Sequence, residues 1–156
     1  MRFKKLIIIF LIITLCSSEK TQADLCDDYL YFAEYQIETI FDKTINDFLT
    51  LAGLHVENKI DKKVVYAQMT GEFSDEIEKI RTDITDLIPN EANRSSHNLL
   101  IKSLIRIEEG FGIFGEGALA EDNSVVVTGL TLVEDGQREL GNAYRDIKRV
   151  CLSEQD

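Results

Sequence analysis

Three cysteines (Cys16, Cys26, Cys151) and two histidines (His55, His97) are the only thiols and imidazoles in this chain of 156 residues. Thiolates and imidazoles serve most nucleophilic and transition-metal centres, so so short a supply can be tested residue by residue. Neither Cys-x-x-Cys-His nor Glu-x-x-His occurs. That excludes covalent haem attachment and the usual carboxylate-bridged di-iron arrangement. His55 follows the first apolar segment and His97 begins the third, so a hairpin of helices places them at opposite ends, too far apart to share an ion. Met69 and His97 are no better placed, because at about 1.5 Å per helical residue their levels differ by roughly 20 Å. Neither histidine has an evident serine partner. Glu108-Glu109 and Asp27-Asp28 read as solvated surface in so acidic a protein. No catalytic residue, metal or cofactor is expected.

Gly110-Phe111-Gly112-Ile113-Phe114-Gly115 matches the dinucleotide pattern G-x-G-x-x-G. In nucleotide-binding proteins that turn follows a strand and opens a helix, so that backbone N–H groups face a pyrophosphate. Here it lies within a helical repeat, which points to close helix packing or a local kink. Asn93-Arg94-Ser95 is a glycosylation sequon, relevant at Asn93 if the source is a eukaryote.

The cysteines depend on the N-terminal segment. Arg2, Lys4 and Lys5 precede an uncharged run from Leu6 to Leu15, and a polar stretch follows. That order is the basic, apolar, polar order of a signal peptide, and the run is shorter than the ~20 residues needed to cross a bilayer. Thr21-Gln22-Ala23 suits cleavage after Ala23, which divides the chain into a signal at 1–23 and one domain at 24–156. Lipidation at Cys16 is the competing reading, but Leu15 stands where a small residue is the rule. Cleavage removes Cys16 and leaves Cys26 and Cys151, which pair as a disulfide in an oxidising compartment, secreted or periplasmic.

The first 23 residues hold four of the 17 basic residues and one of the 28 acidic ones, so the mature chain would carry −14 in place of −11. Such a surface repels phosphate backbones and anionic lipid headgroups. Nucleic acid and stable membrane insertion are therefore set aside, and a protein partner of basic character is favoured.

Four apolar stripes position these residues. The first runs through Cys26, Leu30, Ala33, Ile37, Ile40 and Phe48, capped by Asp24 and ended by Gly53. The second runs through Met69, Phe73, Ile77, Ile80, Ile84 and Leu87 and stops at Pro89-Asn90. His97, Leu100, Leu104, Ile107, Phe111, Phe114 and Ala118 form the third, in strict three-four alternation. Val126, Leu130, Val133, Gln137, Leu140, Tyr144, Ile147 and Cys151 form the fourth. Seven-residue periodicity in successive segments predicts an all-α, antiparallel up-down-up-down four-helix bundle. The β-branched run Val125-Val126-Val127-Thr128 before Gly129 raises a short hairpin as an alternative, against which the unbroken register to Cys151 argues. In such a bundle Cys26 and Cys151 meet at one end on neighbouring helices.

Two surfaces could bind something. On the first helix, Asp28, Tyr31, Tyr35, Glu38 and Asp42 project away from the stripe with Phe32 beside them, and exposed aromatics among carboxylates are frequent in protein interfaces. On the third, Phe111, Ile113 and Phe114 stand among glycines and could line an apolar pocket, or pack against Gly129, Gly136 and Gly141. The first surface implies a non-enzymatic binding protein acting through its acidic helical face. The second implies a carrier or sensor of a small apolar molecule.

Overall fold

The computed structural model describes residues 22–153. The expected signal peptide and Cys16 fall on residues 1–21, outside the described residues, and the side chains of Asp24, Asp28 and Ala33 are likewise outside them. Four helical rods follow in order. The first, α1, spans residues 22–56 as Gln22–Ala33, a π-helical stretch Glu34–Phe41, and Asp42–Val56. The second, α2, spans residues 62–85 as Lys62–Gln68, a π-helical stretch Met69–Phe73, and Ser74–Thr85. The third and fourth are unbroken α-helices, α3 at Arg94–Ala120 and α4 at Asn123–Ser153. Among the described residues there is no strand, and the β-branched run at Val125 is helical.

The helix ends follow capping chemistry. Asp61 accepts from the Lys63 N–H at 2.8 Å and opens α2. Asp122 accepts from the Ser124 N–H at 2.9 Å and from its hydroxyl at 2.7 Å, bonds that hold the Asp122 carboxyl below its ordinary pKa and open α4. Gly53, expected to end α1, lies within it. The helix runs one turn further, and Asn58 takes the left-handed conformation at φ 55°. Asparagine tolerates that geometry better than most residues, so a glycine is not required there.

The π stretches set which residues turn inward, re-aiming the first stripe and holding the second as expected. In α1 the buried residues include Tyr29, Ile37, Phe41, Ile45 and Phe48, so Tyr29 and Phe41 are buried where Leu30 and Ile40 were expected, and the latter pair is only half-buried. From Ile37 the spacing is four, then four again. In an α-helix each four-residue step overshoots a full turn by about 40°, and a π turn, bonded i to i+5, absorbs the excess. In α2, Val65, Met69, Phe73 and Ile77 do the same across Met69–Phe73, where the Ser74 hydroxyl donates to the Met69 carbonyl at 2.7 Å.

Helices α3 and α4 approach until their backbones touch. A Cβ at Gly129 would lie 2.4 Å from the Phe114 nitrogen, one at Gly117 2.6 Å from the Val126 nitrogen, and one at Gly136 2.6 Å from Ile107 Cγ1. Gly110 meets Val133 in the same way. Gly129 and Gly136 therefore occupy the seam where Leu130 and Gln137 were expected, and Gln137 is exposed. Gly141, expected in this packing, has nothing within 4 Å of its Cβ position and takes no part.

Side chains from successive helices meet in reversed order. Gln36 meets Asp83 and Thr44 meets Glu76 between α1 and α2; Arg81 meets Glu108 and Lys62 meets Glu121 between α2 and α3. Between α1 and α4, Cys26 is bonded to Cys151 with Cα atoms 5.4 Å apart. Closing a loop of 125 residues restricts the unfolded chain by roughly 5 kcal/mol in the chain-entropy account.

Candidate functional site

The disulfide end is closed. Asn93 Nδ2 donates to Cys151 Sγ at 3.1 Å, Asn90 Nδ2 to Cys26 Sγ at 3.5 Å, and the Asn93 N–H to Asn90 Oδ1 at 2.8 Å. Asn93 is 2% exposed, which corrects the sequon reading: a glycan on its amide would displace the cap over the sulfurs. One turn on, His97 is buried and its Nδ1 is hydrogen-bonded to the Tyr29 hydroxyl at 3.0 Å. Burial lowers the His97 pKa and raises that of Tyr29, so both are neutral at neutral pH.

The opposite end is open. His55 sits there half-buried, its ring centroid 6.1 Å from that of Phe114. A cleft of about 840 Å³ lies beside it, bordered by Val56, Asn58, Ile60, Glu121 and Val127 and bridged by the Lys62–Glu121 ion pair. The two histidines are thus apart, as their spacing implied. Among the described residues no group of three His, Cys, Asp or Glu side chains is placed to hold a metal ion, and no helix is long and apolar enough to cross a membrane.

Phe111 and Phe114 are fully buried and Ile113 half-buried. Phe48 packs 4.9 Å from the Phe111 ring and 5.3 Å from the Phe114 ring, centroid to centroid, and Phe73 lies 5.8 Å from Phe111. Side chains and the α4 backbone at Gly129 occupy the space expected for an apolar pocket, which corrects that expectation. The G-x-G-x-x-G sequence lies inside α3, where Gly110 serves close approach rather than a phosphate turn.

The outer face of α1 is different. Tyr31 is 81% and Tyr35 57% exposed, one turn apart, while Phe32 is half-buried against the core. Glu38 is turned toward α4, accepting from Lys148 Nζ at 3.2 Å and the Tyr144 hydroxyl at 3.3 Å. The Lys148 ammonium also lies 4.9 Å from the Tyr144 ring centroid, and the Glu38 hydrogen bond raises the Lys148 pKa. Glu38 therefore ties two helices together rather than standing with the tyrosines.

Sequence reasoning missed Gln36. It is buried beside Ile37 on the π stretch and lines a groove of about 240 Å³ between α1 and α2. The run of four-residue spacings through Ile37, Phe41 and Ile45 is the signal that could have found it. Comparison with protein-family models, curated proteins and solved structures finds no match to this chain.

Proposed function

We propose that this chain is an exported, non-enzymatic binding protein: one domain at 24–156, an antiparallel up-down-up-down four-helix bundle that offers the outer face of α1 to a protein partner of basic character. The reversed side-chain pairings between successive helices support the topology. The disulfide supports an oxidising compartment, secreted or periplasmic, since such bonds rarely persist in a reducing cytosol.

The observation that carries the reading is the exposure of Tyr31 and Tyr35 on adjacent turns of one helix. Single apolar residues in water are common, but two exposed rings one turn apart, with exposed Glu34 next to Tyr35 in sequence, have the composition found in interfaces. The −14 of the mature chain would speed encounter with a basic surface. Affinity capture with the mature protein from the fluid into which it is exported tests this. A basic protein should be retained by the native chain and lost on joint Tyr31→Ala and Tyr35→Ala substitution, with the helical circular dichroism unchanged. Equal retention by both would overturn the assignment of the face.

A further inference from the structure

Tyr31, Tyr35 and Thr39 follow one another at four-residue intervals on α1, about one turn apart, and all three are exposed. Thr39 also lines the groove of about 240 Å³ between α1 and α2. The tyrosine stripe therefore runs into the groove. Ile40, half-buried, and Ile80, 1% exposed, are the aliphatic residues of its lining. Lys43, Lys79 and Glu76 also border it, and long charged side chains of this kind present methylene stems to such a recess while their heads stay in water, so the surface offered is mostly carbon.

Size and charge say what fills it. A volume of about 240 Å³ falls below the roughly 300–1,000 Å³ of sites that enclose a ligand, and equals roughly eight waters at about 30 Å³ each. That is room for one large apolar side chain. In protein interfaces, side chains seated in pockets supply much of the binding energy. From Gln22 to Asp42, α1 carries carboxylates and no basic residue. At the groove the charges cancel instead: Asp47 pairs with Lys43 at 3.0 Å, and Glu76 lines the groove with Lys79. A basic partner is thus drawn to the stripe and meets a neutral, apolar recess at its end.

We infer that the groove is the anchor pocket of the tyrosine face. It receives one apolar side chain, of leucine or phenylalanine size, from the same basic segment of the partner that covers Tyr31 and Tyr35, and buries it against Ile40 and Ile80. The assignment rests on the binding role proposed for that face and names what its partner must carry.

Matched peptides test it. One is an acetylated, amidated peptide with a leucine between pairs of arginines, and the other has alanine in place of the leucine. Titrated into the mature, disulfide-bonded protein, the leucine peptide should give saturable NMR shifts at the Ile40 and Ile80 methyls and at the Tyr31 and Tyr35 rings. The alanine peptide should bind at least about tenfold more weakly, because three carbons are no longer buried. Thr39→Trp, which fills the recess from an exposed position, should bring the two peptides to within about twofold of each other while the tyrosine rings still shift. If Thr39→Trp does not fold, the matched peptides on the native chain decide alone. Equal affinity of the two peptides for the native chain, or shifts at the tyrosine rings with none at Ile40 and Ile80, would overturn the pocket and leave the face standing. Groove shifts undiminished by Tyr31→Ala with Tyr35→Ala would overturn the face, and with it the shared partner inferred here. No saturable shift at either place at millimolar peptide would overturn both.

Discussion

Helices α3 and α4 and helices α1 and α2 solve the same packing problem in opposite ways. The core residues of α3 alternate by three and four, and small residues recur every seventh position: Ser103, Gly110 and Gly117 on α3, Gly129, Gly136 and Ala143 on α4. All six are buried, and at the four glycines a Cβ would strike the facing helix. A period near that of the α-helix keeps one face in line, so both helices run without a break and are joined along it. In α1 and α2 the buried residues recur by fours, and each helix widens into a π stretch to hold them inward. The unbroken pair thus packs along its own seam. The widened pair carries the buried Gln36 and the exposed Tyr31 and Tyr35.

Single-residue deletions separate the two halves most sharply. Deleting Ile105 from α3 would turn every later residue of the helix by about 100°, throwing Ile107, Phe111 and Phe114 off the core, and should abolish the cooperative unfolding transition. Deleting Thr39 from the π stretch should instead return that turn to α geometry with the Cys26–Cys151 bond still formed, as judged by circular dichroism and non-reducing peptide mapping. Equal damage from the two deletions would break the comparison.

Replacing both disulfide cysteines by serine should lower stability by roughly 5 kcal/mol in denaturant titrations while the helical signal survives in the absence of denaturant. A change below about 1 kcal/mol would mean that the bond restricts the unfolded chain far less than its 125-residue span implies.

Glycines of one helix should respond with opposite signs. Gly129→Ala drives a Cβ into the Phe114 backbone and should cost roughly 2–3 kcal/mol as the helices part. Gly141→Ala enters open space within the same helix and should add about 0.5–1 kcal/mol by removing backbone freedom from the unfolded chain.

The smallest expected effect concerns pH. Burial lowers the folded-state pKa of His97, so between the folded and unfolded values the unfolded chain binds the proton and the folded chain does not. The stability that His97 contributes is therefore complete above about pH 6.5, the unfolded value, and declines as pH falls through the window below it. Denaturant titrations at several pH values should show a shallower decline for His97→Gln than for the native chain.

Much of this was legible in the residues. The third stripe is buried position by position from His97 to Ala118, and the pairing of Cys26 with Cys151 was expected from periodicity together with the reading of an exported chain. What escaped was whatever depends on backbone geometry rather than polarity. A hydrophobicity pattern assigned Leu130 and Gln137 to the α4 seam because it cannot register that a glycine is buried when two backbones meet. Asn93 read as a surface sequon because its burial comes from the disulfide, a contact between distant segments. Gln36, a polar residue beside Ile37, carried no signal until the spacing by fours was read as a change of helix type.

The division of labour between the halves is tested most directly by placing a photo-crosslinking amino acid, one site at a time, in the protein expressed in its own host. Position 35 on α1 is to be compared with positions 105 on α3 and 127 on α4, where Ile105 and Val127 are also exposed. A discrete adduct from position 35, with none from 105 or 127, is the expected result. Adducts from α3 or α4 with none from α1 would contradict it.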